Sequence, residues 1–357
     1  MEVPLNRREL LLTIDKVISG MKNLKVTIEE DTPESIISIN KWDWSQGVGL
    51  FSLYRYYKET NNREILSYLI DWFDARIREG LPSKNVNTMC PLLTLTYLYE
   101  ETHNPEYLEL CKEWASYAAD EMPRTPEFGI THVTLEGEHY GELWDDTLYM
   151  TVLFIGRMGV LLNRDDYVQE SVRQFLVHMK YLTDTQTGLF YHGWSFVGKH
   201  NFAKALWGRG NAWYSAGLVD YLDMVKIPLG VEIFLVTSLE RQVEQLALLQ
   251  SESGMWHTLL DDPSSYEETS ATAGFAYSML KAIRKGYIVD EYADAAFQAM
   301  KSVLAKIDEQ GMVHGVSYGT RMGHTLDFYK RIPQCPMPYG QSMALLMLVE
   351  SLHHIPE

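Results

Sequence analysis

Polar and aromatic residues gather at a few places in this 357-residue chain, and those places are where chemistry can happen. They are Lys41-Trp-Asp-Trp-Ser-Gln-Gly47, Asn85-Val-Asn-Thr88, Gly141-Glu-Leu-Trp-Asp-Asp-Thr147, Tyr191-His-Gly-Trp194, Trp207-Gly-Arg-Gly-Asn-Ala-Trp213, Gly254-Met-Trp-His257 with Glu267-Glu-Thr-Ser270, and Tyr339-Gly-Gln341. Indole faces beside carboxylates, amides and an arginine suit a sugar better than a nucleotide or a metal. Trp144-Asp145-Asp146-Thr147 is the sharpest cluster. An acidic pair at a helix start also reads as cap and first-turn residues that complement the dipole. Adjacent positions on a helix diverge by about 100°, so one carboxyl is expected to enter the site while the other caps or points outward.

His132, His192 and His257 fall in three different loops, where each also reads as a hydrogen-bonded loop histidine. No pair has the spacing of a zinc site. Arg209, framed by Gly208 and Gly210 with Trp207 and Trp213 around it, reads either as a cation–π stack or as a planar grip on a carboxylate. Gly-Arg-Gly-Asn-Ala lacks the Gly-Lys-Ser/Thr ending of a phosphate loop. Trp42, Trp44, Trp194, Trp207 and Trp256 are expected around one mouth.

The elements that must position these residues are helical. Leu10, Leu11, Ile14, Val17, Ile18 and Met21 recur at three- and four-residue spacing, and similar stripes follow along the chain. The pattern predicts twelve helices, near 5–22, 45–59, 63–79, 88–101, 105–121, 146–162, 165–182, 208–225, 231–250, 269–286, 290–306 and 339–353. Strand-like alternation is confined to about Gly129–Leu135 and Gly188–Trp194. Connections alternate: short after even-numbered helices, long after odd ones. Short connections make antiparallel neighbours, so the reading is all-α, six helical hairpins closed into one (α/α)6-barrel domain over 1–357. Its site belongs at the long-loop end, where loop length is otherwise unexplained. Helix N-termini converging there would favour an anionic ligand.

Composition narrows the partners. Lys plus Arg number 31 against 48 Asp plus Glu, a formal net charge of −17 that argues against nucleic acid. No apolar run approaches the roughly 20 residues of a membrane span, and Met1-Glu-Val-Pro-Leu-Asn-Arg-Arg lacks the apolar stretch of a secretory signal. Three scattered cysteines, Cys90, Cys111 and Cys335, make no disulfide framework. A cytoplasmic protein is expected.

Taken together, Trp144-Asp-Asp-Thr-Leu-Tyr-Met-Thr151, Tyr191-His-Gly-Trp194, Trp207-x-Arg-Gly-Asn-x-Trp213, Gly254-Met-Trp-His-x-x-Leu-Asp-Asp262 and Glu268-Thr-Ser-Ala-Thr-Ala273 resemble the unsaturated rhamnogalacturonyl hydrolases, glycoside hydrolase family 105. The resemblance runs in order from about Trp44 to Leu348. It implies an (α/α)6 barrel and a substrate left by a polysaccharide lyase, a short oligosaccharide whose terminal uronic acid carries a C4=C5 double bond. The implied reaction is hydration of that vinyl ether, with no redox or metal cofactor: a proton goes to C4, water adds at C5, and the hemiketal opens to release the next sugar. The resemblance places the acid/base on Asp146 and substrate contacts on Trp44, Asn87, His132, His192, Arg209 and Trp213. Trp44 stands where some members carry tyrosine, and the stretch from His192 to Trp207 is shorter than in some relatives. The leaving sugar, rhamnose in the leading reading, is therefore open. An unsaturated glucuronyl hydrolase, a sugar epimerase and a sugar-binding barrel are the other readings, as is an inverting glycosidase with Glu142, Asp145 or Glu268 facing Asp146.

Overall fold

The computed structural model describes residues 4–27, 36–134 and 137–355, and among them each expected helix has a counterpart. These are α1 (Arg7–Asn23), α2 (Trp44–Thr60), α3 (Arg63–Glu79), α4 (Cys90–Thr102), α5 (Pro105–Ser116), α6 (Leu153–Leu162), α7 (Asp165–Leu182), α8 (Gly208–Met224), α9 (Leu229–Leu249), α10 (Thr269–Lys285), α11 (Ala293–Leu304) and α13 (Pro338–Ser351). A short additional helix, α12 (Leu326–Lys330), lies inside the last long loop.

The short connections are made by residues suited to stopping one helix and starting the next. Asn61, His103, Asn163 and Gly286 end α2, α4, α6 and α10 in the left-handed conformation, which asparagine and glycine adopt at least cost. Asn62 and Asn104 then cap α3 and α5, each side chain accepting from a first-turn backbone N–H. Such a cap contributes about 1 kcal/mol.

Two concentric rings result. Helices α2, α4, α6, α8, α10 and α13 contact one another in that order, and α13 returns to α2. Their all-round burial marks them as the inner ring: Gly208–Tyr221 of α8 and the whole of α13 are buried continuously. The outer helices α3, α5, α7, α9 and α11 each pack on the inner helix before them. The sixth outer position is filled by α1 against α13, so the last hairpin joins the two ends of the chain. The (α/α)6 barrel expected from the loop alternation is the observed fold.

Strands are few. In the third long loop β3 (Val133–Thr134), inside the first expected stretch, pairs with β4 (Gly137–Glu138), which lies beyond it; Leu135 lies outside the described residues. In the second stretch, Phe190 bridges Thr183. The third long loop also carries β5 (Glu142–Trp144), which pairs antiparallel with β6 (Gly193–Ser195) and sets Trp144 opposite Gly193. The remaining pair is β1 (Val26–Thr27) with β2 (Ile36–Ile37), in the first long loop. No helix among the described residues is long and apolar enough to cross a membrane.

Candidate active site

The long loops surround a cavity of about 820 Å³. Its wall includes Trp44, Ser45 and Gln46 at the N-terminus of α2, Asn87, then His132, His139, Trp144 and Asp146 from the third loop, and Tyr318–Arg321 with Phe328 and Arg331 from the last. The function end is the expected end of the barrel.

Asp146 reaches this wall because of a strand pairing. The β5–β6 ladder is extended by the Asp145 backbone N–H, which donates to the His192 carbonyl at 3.0 Å. That brings the His192 ring beside Asp146, with Nε2 3.5 Å from Oδ2, long for a hydrogen bond. The other ring nitrogen, Nδ1, lies 2.6 Å from the Tyr329 hydroxyl. Tyr329 Oη accepts from the Gly323 N–H, so its own proton has His192 Nδ1 as the best acceptor. The imidazole hydrogen then sits on Nε2, facing Asp146.

The two carboxyls are closer than a helical reading allows. One oxygen each of Asp145 and Asp146, and one ring nitrogen of His192, lie within 4.8 Å of one another. This is the group of three among the described residues that could hold a metal ion. The 100° divergence does not apply because Asp145 lies in the turn that follows β5, ahead of the helical Asp146; Leu148–Val152 then forms a wider π turn before α6. Such turns often sit at functional sites. Asp145 is fully buried, and a Cβ built on Gly210 would fall 1.9 Å from its Oδ2. Only glycine leaves room for that carboxyl against α8.

The charges follow from these surroundings. Burial, and then the neighbouring Asp146 charge, pushes the Asp145 carboxyl well above the ordinary aspartate value. Burial alone would raise Asp146 too, but the His192 ring nitrogen beside it outweighs this and holds that carboxyl below its ordinary value. His132 is pushed down to about 3, chiefly by burial, and burial lowers His192 as well. Both imidazoles are neutral at neutral pH.

A belt of stacked rings links the loops. His132 lies flat on Trp144 at 4.1 Å, with its Nδ1 3.0 Å from the Thr147 hydroxyl. Trp144 meets His192 edge-on at 5.5 Å, and His192 packs on Trp207 at 4.2 Å. The Arg209 guanidinium is sandwiched between Trp207 and Tyr339 at 4.7 Å from each ring. Tyr339 stacks on Trp44 at 4.8 Å.

Four of the seven expected site residues, Trp44, Asn87, His132 and Asp146, line the cavity. The other three stand behind it. His192 touches Asp146 from below the surface, and Trp213 supports Trp44 edge-on at 6.0 Å. Arg209, 1 % exposed, donates to Ser317 O, Tyr318 O and Thr320 Oγ1, so its cation–π reading holds and its grip is on a cavity-lining loop.

Other expectations need correction. Of the five tryptophans placed at one mouth, Trp44 alone lines the cavity. Trp42 packs on Trp72, Phe73 and Trp114, and Trp256 is 0 % exposed and donates to Leu246 O. Their apolar neighbours claim them for the core. His257 bonds Ser265 O and stays a loop histidine. Two of the three carboxyls suggested to oppose Asp146 are engaged elsewhere, and the third, Asp145, lies beside it rather than across a ring. Glu268 caps α10 and accepts from Ala271 N, Ser270 Oγ and Ser317 N, and Glu142 accepts from Trp144 Nε1. Sequence reasoning missed Tyr329, His139 and the 318–333 wall. Only the unexplained length of the last loop pointed to that wall.

This arrangement agrees with what the chain is similar to. Residues 17–355 match the family model described as Glycosyl Hydrolase Family 88. The chain belongs to that family. It is a glycoside hydrolase, 33% identical over 315 residues to unsaturated rhamnogalacturonyl hydrolase YesR of Bacillus subtilis, covering 87% of this chain and 90% of that one. Two solved structures described as possible members of the GH105 family, from Salmonella enterica and Klebsiella pneumoniae, are each 45% identical. They match with TM-scores of 0.94 and 0.95, over 99% of this chain and 96% and 95% of theirs.

Proposed function

We propose that this glycoside hydrolase hydrates the C4=C5 double bond of a terminal unsaturated uronic acid, with Asp146 delivering the proton to C4. The observation that carries this is Asp146 itself, a partly exposed carboxyl on the wall of a cavity faced by Trp44, Trp144 and His132, with a ring nitrogen beside it. Protonating C4 of a vinyl ether builds positive charge at C5, which the ionised Asp146 left behind stabilises. Water then adds at C5, and the same carboxylate takes its proton. The hemiketal opens and the next sugar leaves without attack at C1, so no second carboxyl is needed across the ring. The other cavity carboxyls are occupied: Asp43 caps α2 and Asp327 pairs with Arg331.

Trp44 offers a face for the sugar ring, while Asn87 and His132 offer polar atoms to its hydroxyls. Arg209 and Trp213 act from behind, holding the 317–320 loop and Trp44. The substrate carboxylate meets a wall that includes Lys41 and Arg321, which lets an acidic protein take an anionic ligand. Rhamnose is the leaving sugar in this reading, supported by the likeness to a rhamnogalacturonyl hydrolase, and degradation of pectin fragments follows from it; a cytoplasmic location is the part of the reading that accords with three free cysteines.

The test uses unsaturated galacturonyl-rhamnose, an unsaturated glucuronyl disaccharide and the saturated counterpart of each. Ultraviolet absorbance of the double bond should disappear fastest with the rhamnose compound, and the saturated sugars should stay intact. Cleavage of a saturated sugar, or sugar release with the absorbance preserved, would reject hydration in favour of direct hydrolysis.

A further inference from the structure

Asp145 has no part in the reaction as written, yet its placement is hard to explain as packing. It is 0 % exposed, and neither carboxyl oxygen has a hydrogen-bond partner. An ionised carboxylate buried without donors is strongly disfavoured. Gly210 is shaped around it, and Asp146 and His192 lie within 4.8 Å. Asp146 Oδ2 and His192 Nε2 also lack partners at ordinary hydrogen-bond length. Three polar groups are thus turned towards one another in a space closed to water.

We infer that Asp145 and Asp146 hold one proton between them, with Asp145 the positioning residue that keeps it available to Asp146. Two carboxyls this close cannot both ionise cheaply. At rest the proton sits on Asp145, because the His192 Nε2–H faces Asp146. When a sugar closes the cavity, the proton passes to Asp146 and from there to C4. The attacking water returns one proton as its oxygen bonds to C5, so the pair ends each turnover as it began. Nothing is oxidised or reduced. The inference rests on the hydration reading above only for the transfer to C4; the shared proton exists without substrate.

The other groups facing the pair do not supply this proton. His132 and His192 are neutral, and the Tyr329 phenol is held above its ordinary value by burial. Arg209 pairs with Glu268 at 3.9 Å, and Glu142 accepts from the Trp144 ring.

Two measurements test this. The first is kcat against pH for the wild type and Asp145→Asn, whose amide imitates the protonated acid. The acid must be protonated to act, so activity is lost as pH rises through the last ionisation of the pair. Removing the neighbouring charge should move that high-pH limb down by about one unit or more, with kcat near pH 5 kept within about tenfold. A limb coincident with the wild type overturns the inference. The second is an infrared titration without substrate. A carboxylic-acid band should persist in the wild type above the ordinary aspartate range and titrate lower in both Asp145→Asn and Asp146→Asn. Absence of such a band also overturns it, even if Asp145→Asn fails to fold. Failure of the wild type to consume any unsaturated disaccharide while the band titrates as described would sink the proposed substrate and leave the shared proton standing.

Discussion

The proton inventory around Asp146 depends on a tyrosine that touches no cavity atom in the proposed chemistry. Tyr329 makes His192 present Nε2–H, and that hydrogen favours the ionised form of Asp146 between turnovers. Tyr329→Phe keeps the ring packing on Trp207 and His192 but frees the imidazole to turn or change tautomer. We expect kcat to fall about tenfold, the worth of one buried hydrogen bond, with KM changed less than threefold. Equal loss in KM would mean that the tyrosine shapes binding instead. Asp146 was readable from its motif; Tyr329 was not, because a single tyrosine in a long loop has neither periodicity nor a neighbouring motif to announce it.

Helix ends do the placing. The N-terminus of α8 supplies Arg209 to hold the 317–320 loop and Gly210 to admit Asp145. Gly210→Ala would drive a methyl into that carboxyl, so either the pair or the helix must move. The expected outcome is a loss of about 1–3 kcal/mol in unfolding free energy and a fall in kcat of at least about tenfold, since an ångström of misplacement is costly at a reacting group. Wild-type activity in Gly210→Ala would show that Asp145 has room to spare. The Gly-Arg-Gly spacing was visible in the sequence as a place of close approach. What approached it was not, because the start of the Asp145–Asp146 segment was read as regular helix. Asp145 instead sits in the turn after β5, outside the helix that Asp146 begins, so the two do not share a helical surface.

The barrel closes through its own chain ends, and one side chain stitches the seam. Gln341 of α13 donates to Val17 O of α1 and Gly311 O, and accepts from Val313 N at 2.5 Å. Gln341→Leu takes this partner from the buried Val313 N–H and Gly311 carbonyl, while Val17 O keeps its place in the α1 ladder. The substitution should cost about 3 kcal/mol, read as a lower denaturant midpoint with an unchanged slope. A midpoint within error of the wild type would mean that the ring holds without this link. The architecture was largely legible from loop-length alternation, since a short connection dictates an antiparallel neighbour wherever the helices sit. The pairing of α1 with α13 follows from counting six inner helices. Which aromatic residues would face solvent in the mouth and which would sink into the core did not follow. Burial is decided by the neighbours that the closed ring brings together, as with Trp42 and Trp256.

Proton delivery from Asp146 to C4 can be followed at the atom where it happens. The unsaturated disaccharide is turned over in deuterium oxide, and early product is analysed by nuclear magnetic resonance for deuterium at C4. The wild type should place one deuterium there on a single face, at the rate the double bond disappears. Asp146→Asn should slow both by roughly 10²–10⁴-fold. Product that forms without deuterium at C4, or an asparagine variant that incorporates it at the wild-type rate, would contradict the role assigned to Asp146.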